Sequence, residues 1–185
     1  GLGVAVMNHT SGAMPMLHEH TTCTVKLNED ATAEIITSCS DLGTGAHTAL
    51  KQIAAETLDF PLDDVHMKTG DSDASGFDIG AHASRTVYVG GMAVKKACDA
   101  AIEEVMNRAA AKLEIDVADL EMKDKKVFVK GKPEKFVTVQ QICYEGTYAF
   151  LDAQTGGRMG IPGQIQTYSS HYPDGNSPPF AAAFA

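Results

Sequence analysis

Two stretches of this chain have the residue types to hold an anion. The first, Asp41-Leu42-Gly43-Thr44-Gly45, is a glycine-rich turn between a β-rich run and an amphipathic segment. Glycines without a Cβ let backbone N–H groups converge, and the first turn of the following helix adds partial positive charge. That combination suits a phosphate or another oxyanion, although strand–glycine–helix turns also arise for packing alone. It is not a P-loop, because Gly-x-x-x-x-Gly-Lys-Ser/Thr is absent, nor a dinucleotide fingerprint, because Thr48 stands where the third glycine belongs. The second stretch is Ile79-Gly80-Ala81-His82-Ala83-Ser84-Arg85-Thr86, again at a helix start. Its small residues would let a ligand reach the backbone, Ser84 and Thr86 offer hydroxyls, and Arg85 could grip an anionic group through two nitrogens. A capped helix start with one exposed arginine is the plainer alternative. Two such helix openings in one small domain point to a shared polyanionic ligand.

The histidines offer a rival. His18-Glu19-His20 places two imidazoles at i and i+2, which on a strand would face one way and could bind the metal of a small hydrolase. His9, His47, His66, His82 and His171 include no second pair at ligand spacing. An exposed polar segment explains His18 and His20 as well. Cys23, Cys39, Cys98 and Cys143 are too scattered for a Cys-x-x-Cys zinc or redox motif or a local iron–sulfur cradle, and read as reduced, buried thiols. No Gly-x-Ser-x-Gly elbow and no obvious carboxylate pair is present.

The elements that must position these groups are readable from periodicity. Thr22 to Leu27 and Ala33 to Ser38 form a hairpin across Asn28-Glu29-Asp30. Leu50, Ile53, Ala54, Thr57 and Leu58 share one helical face, and Pro61 stops that helix near Leu58 to Phe60. A short strand, Val65 to Lys68, leads into a polar loop from Gly70 to His82. A long helix then covers Thr86 to Leu113. Gly90 and Gly91 inside it each cost about 1 kcal/mol against alanine, which implies that another backbone or a ligand comes close. Six lysines between Lys123 and Lys135 surround the strand-like Val127-Phe128-Val129 and read as a solvated hairpin rather than a basic patch. Thr138 to Gln141 is a capping-box pattern opening a short helix. From Gly146 onward, glycines and Pro162, Pro173, Pro178 and Pro179 predict a long irregular segment. The resulting expectation is one α+β domain over residues 1–185. Its mixed β-sheet packs on two main helices in two layers, and its C-terminal segment is irregular.

Charge excludes some partners. The net charge of −9 repels phosphate backbones, so no nucleic-acid partner is expected. No apolar run is long enough to span a membrane, no signal peptide is visible, and a cytoplasmic location follows as the expectation. The start at Gly1 in a strand-like run and the apolar Phe180 to Ala185 ending suggest a piece excised from a longer polypeptide.

Ser40-Asp41-Leu42-Gly43-Thr44-Gly45-Ala46-His47-Thr48, with Gln52 to Glu56 after it, resembles the molybdopterin-binding region of the xanthine dehydrogenase and aldehyde oxidase family. So do Gly70-Asp71-Ser72, Gly80 to Thr86 and Gly91 to Val94, in the same order. The likeness is strong from Ser40 to Ala97 and looser after about Leu113. It implies part of the large subunit of a molybdenum hydroxylase, which adds oxygen from water to a carbon of a heteroaromatic or aldehyde. Gly43, Thr44 and Gly45, together with His82, Ala83, Ser84, Arg85 and Thr86, would contact the molybdopterin cofactor, expected as the cytosine dinucleotide form. No catalytic or metal-ligating residue is assigned within the chain. The general-base glutamate would lie beyond residue 185, and the dithiolene holds the molybdenum. Iron–sulfur clusters and FAD in partner domains or subunits, the rest of the large subunit and a small-molecule substrate are the implied partners. The piece alone would be inactive. Thr44 departs from the glutamine common in the family and lacks its amide. A non-catalytic assembly module of the same fold that binds no cofactor is therefore the alternative.

Overall fold

A computed structural model describes residues 1–15, 18–148, 150–151, 157–159 and 161–184. In chain order the strands and helices begin with β1 (Val4–Asn8), β2 (Thr21–Leu27), β3 (Ala33–Ile36) and α1 (Ala46–Leu58). Next come β4 (Val65–Lys68), α2 (Thr86–Leu113), β5 (Leu120–Lys123), β6 (Lys126–Val129) and β7 (Lys132–Thr138). The last are α3 (Val139–Thr147), β8 (Phe150–Leu151), β9 (Arg158–Met159), β10 (Gln166–His171) and β11 (Phe180–Phe184).

The main sheet has the order β10-β2-β3-β4. β2 is antiparallel to both β10 and β3, whereas β3 and β4 run parallel. The parallel pair follows from its connection, because α1 carries the chain back across the sheet between β3 and β4. α2 lies along β2 and β10 and crosses α1. The expected α+β architecture, a mixed sheet under two main helices, is therefore present.

Burial follows the apolar spacing. Leu50, Ala54 and Leu58 of α1, Val25 and Leu27 of β2, Ile35 of β3, and Val94, Ala97, Ala101 and Val105 of α2 form one core. Asp59 ends α1 in a left-handed conformation and donates its N–H to the carbonyls of Ala55 and Glu56, two residues before Pro61. The two glycines of α2 have a different purpose from the one expected. A Cβ at Gly90 would lie 2.6 Å from Cys39 Sγ, and one at Gly91 would lie 2.8 Å from Ile53 Cδ1. They make room for neighbouring side chains at the α1–α2 crossing, not for another backbone or a ligand. All four cysteines are free and buried. Burial pushes the Cys39 and Cys143 thiols up to about 11 and the Cys98 thiol up to about 12.

The lysine-rich stretch forms the three-stranded antiparallel sheet β5-β6-β7. Lys125 pairs with Asp64 at 2.7 Å and sits over the Phe60 ring, which fastens this sheet to the main body. Thr138 caps α3 by accepting from the Gln141 N–H at 3.0 Å.

The C-terminal region departs from its expected irregularity. Residues 152–156 and 160, within its glycine-rich part, lie outside the described residues. Beyond them, β10 joins the main sheet and β11 pairs with β1. β10 lacks apolar alternation because its partly buried positions are Thr167, Ser169 and His171. Thr167 donates to the Ala97 carbonyl at 2.7 Å and Ser169 to the Ala93 carbonyl at 2.6 Å, both on α2. A strand held to a helix by hydroxyl-to-carbonyl bonds leaves no hydrophobic signal to read.

Candidate functional site at two helix starts

The turn before α1 and the turn before α2 line one cleft of about 530 Å³. Thr44, Gly45, His82, Ala83, Ser84 and Thr86 all lie on its wall, joined by His9, Leu42, Ala46, Ala49, Ala81 and Val87. Of the eight residues expected at a ligand, Gly43 and Arg85 are the two outside that lining. His9 was not among them. It arrives from the loop after β1, with its N–H bonded to the Pro179 carbonyl at 3.1 Å. Its position depends on the β1–β11 pairing, so a lone histidine in the sequence gave no signal of it.

The turn before α1 is shaped by its own carboxylate. Gly43 and Gly45 have φ of 95° and 77°, and their N–H groups donate to Asp41 Oδ1 at 2.9 and 3.1 Å. The His47 N–H donates to Asp41 Oδ2 at 3.2 Å. Burial acts to raise the Asp41 carboxyl, but the backbone donors of His47, Gly43, Gly45 and Thr44 reverse it and hold the group below the ordinary carboxylate range. The expected convergence of amides is real, yet three of them serve an internal anion. Ala46, the first helical residue, still opens onto the cleft, so the positive end of α1 borders it.

The turn before α2 is strained. Ala83 and Ser84 have φ of 45° and 50°, left-handed values that cost a non-glycine residue of the order of 1–3 kcal/mol each. The Ala83 carbonyl accepts from the Gly12 N–H at 2.8 Å, and the His82 carbonyl from the Arg85 N–H at 3.1 Å. His82 Nε2 is buried and has no hydrogen-bond partner among the described residues. A buried polar atom without a partner calls for an explanation, and the residue that carries this one lines the cleft.

Arg85 overturns its expectation. The side chain is fully buried and its guanidinium donors are engaged inside the protein. Nε donates to Glu19 Oε1 at 2.7 Å, and Nη1 donates to Asp78 Oδ2 at 2.8 Å and to the Gly80 carbonyl at 3.1 Å. Nη2 donates to Thr21 Oγ1 at 2.5 Å and to the His20 carbonyl at 3.3 Å. Five N–H groups with five internal acceptors leave none for a ligand. Burial acts to lower the guanidinium's proton affinity, and Asp78 and then Glu19 reverse this and raise it. The signal that could have found this role is Glu19, a charge embedded between His18 and His20 far upstream.

The same contact removes the rival metal site. Residues 18–20 are not a strand: Glu19 turns inward to Arg85, His18 is exposed, and the His20 ring stacks on Phe77 with centroids 4.7 Å apart. Among the described residues no group of three or more His, Cys, Asp or Glu side chains is placed to hold a metal ion.

The glycine turn and the strained small-residue turn thus border one cleft at the starts of two packed helices. Over residues 1–185 the chain matches the molybdopterin cofactor-binding domain, and it belongs to that family, which is part of the xanthine dehydrogenase and aldehyde oxidase class. It is 30% identical over 186 residues to the xanthine dehydrogenase molybdenum-binding subunit of Escherichia coli O157:H7, covering 100% of this chain and 24% of that protein. Among solved structures, it is similar to the carbon monoxide dehydrogenase of Oligotropha carboxidovorans, with a TM-score of 0.84 at 22% identity, over 100% of this chain and 23% of the other. Quinoline 2-oxidoreductase from Pseudomonas putida 86 aligns with a TM-score of 0.75 at 26% identity, over 100% of this chain and 24% of the other. The chain thus spans about a quarter of the length of that molybdenum-binding subunit.

Proposed function

We propose that residues 1–185 form part of the cofactor-binding region of a molybdenum hydroxylase large subunit, with the cleft receiving the charged tail of molybdopterin. One observation carries this reading. Two motifs some forty residues apart meet in a single cleft, and one of its lining residues, His82, has a buried Nε2 without a hydrogen-bond partner among the described residues. His82 could donate to or accept from an oxyanion, Ser84 and Thr86 could donate hydroxyl protons, and the first turn of α1 adds positive potential. Gly43 shapes the glycine turn, and Thr44 and Gly45 line its cleft side. These features fit a phosphate-bearing group, the cytosine dinucleotide form included. When bound, the cofactor supplies the two-electron chemistry that adds oxygen from water to a heteroaromatic or aldehyde carbon. This chain's share of that work is to bind and orient.

The general base, the iron–sulfur clusters and the FAD are assigned to the remainder of the large subunit and to partner domains or subunits, so the piece alone is inactive. The exposed apolar ribbon supports a covering partner. Val6 of β1 is 78% exposed, and Phe180 and Phe184 of the paired β11 are 76% and 74% exposed, apolar side chains that a covering partner would bury. Among the described residues no helix is long and apolar enough to cross a membrane. The location proposed for the assembled enzyme is the cytoplasm.

The Asp41 carboxylate favours the second reading, a module of this fold that binds no cofactor, because it already occupies three amides of the first turn. Molybdenum and phosphorus analysis of the complete enzyme decides between them. Gly45→Val, which forces a branched residue to φ near 77°, and His82→Ala are each expected to lower both elements per subunit at least fivefold. Full loading in both variants would overturn the proposal.

A further inference from the structure

We infer that Arg85 is a positioning residue: it holds the strained Ala83–Ser84 turn in the shape that the cleft requires. The inference rests on the cofactor reading above and adds a role that this reading does not contain. Arg85 stands directly after the two left-handed residues, between Ser84 and Thr86, which both line the cleft. Its own side chain points away into the protein and ties three segments together. Glu19 and His20 lead into β2, whose first residue is Thr21; Asp78 and Gly80 belong to the loop before the turn, and Arg85 itself caps the start of α2. Asp78 reinforces the same geometry, because Oδ1 accepts from the Gly80 N–H at 2.8 Å and Oδ2 from Thr21 Oγ1 at 2.5 Å.

Residues in left-handed conformations relax unless their surroundings fix them from several sides. Here Gly12 holds the Ala83 carbonyl from one side, and the Arg85 fork holds the chain on both sides of the turn. The fork is planar and always charged, so lysine keeps the charge but cannot reproduce five fixed bonds. Without the fork, Ala83 and Ser84 would relax toward ordinary φ, and the His82 and Ser84 side chains would no longer face one ligand. Glycine at position 83 takes φ near 45° without steric cost, and so depends less on being held.

The test measures the effect of Arg85→Lys twice in the complete enzyme with its partner subunits. One background is wild type and the other carries Ala83→Gly, which leaves the Ser84 hydroxyl in place. Molybdenum and phosphorus per subunit are the readouts, with thermal unfolding alongside. In the wild-type background Arg85→Lys is expected to lower both elements at least fivefold. In the glycine background the same change is expected to lower them no more than twofold. Loss of equal size in both backgrounds overturns the inference, because an arginine that gripped the cofactor or merely kept the fold would gain nothing from glycine. Full loading of Arg85→Lys overturns it as well. Should Arg85→Lys fail to fold, Thr21→Val is used instead; it removes one acceptor of the fork outside the cleft and is expected to cost at least twofold in loading. Unchanged loading in Thr21→Val would overturn the role. A wild-type enzyme free of molybdenum overturns the cofactor reading and this inference with it, whereas a loaded wild type with an equally loaded Arg85→Lys overturns the inference alone.

Discussion

The starts of α1 and α2 share one cleft but are shaped by opposite means. Before α1, a surface carboxylate gathers nearby amides around itself, and glycine supplies the positive φ. Before α2, a fully buried arginine between two carboxylates holds alanine and serine at φ values they would not choose. The first device is local: Asp41 reaches Gly43, Gly45 and His47, all within six residues. The second depends on chain folded from far away, since Glu19 and Arg85 are 66 positions apart. A local device can adjust to what binds beside it. A buried ionic one is set by the fold and fails as a whole.

The largest expected effect breaks the buried side. Arg85→Ala leaves Glu19 and Asp78 facing each other without a counter-charge, and removing one partner of a buried pair costs about 3–5 kcal/mol. Denaturant unfolding of the chain should register it as a lower midpoint. A loss under 1 kcal/mol would mean that the network is not as closed as its geometry. Next comes the seam between the two starts. Gly90→Val drives a side chain into Cys39, which sits between β3 and the glycine turn, and overpacking of this kind costs about 1–3 kcal/mol. Cys39 reports the same change chemically: buried and pushed up to about 11, it should resist thiol reagents in the native chain at pH 8 and react faster in Gly90→Val. Equal labelling rates would show that the seam had not opened.

The smallest effect concerns Asp41, and pH reveals it best. Its carboxyl titrates lower in the folded chain than in the unfolded one, so its contribution is complete above the unfolded value near about 4. That contribution fades as pH falls through the folded value. Asp41→Asn should therefore lower the neutral plateau slightly and leave the acid end unchanged, so that the limb below about pH 4 becomes less steep. An acid limb of unchanged slope would show that the carboxylate does not hold the turn.

What the sequence made legible follows the same division. The face and end of α1 and the stripe of α2 could be read because apolar spacing and Pro61 act over a few residues. The glycine turn and the Ala83–Ser84 turn could be placed at a shared site because small residues at helix starts are a local signature. Arg85 was misread because an arginine among small residues looks exposed, and nothing near it announces Glu19. β10 was missed because Thr167 and Ser169 bury hydroxyls against α2 where a strand would ordinarily bury aliphatic carbons. His9 was missed because only the pairing of the first strand with the last delivers it to the cleft.

α2 runs for 28 residues, about 42 Å at the usual rise per residue, and serves as the axle of the molecule. β2 and β10 of the main sheet, α1, α3, β5 and β7 all touch it. Its central amides, around Ala97 to Val105, should thus exchange with deuterium only when everything attached to the rod comes apart together.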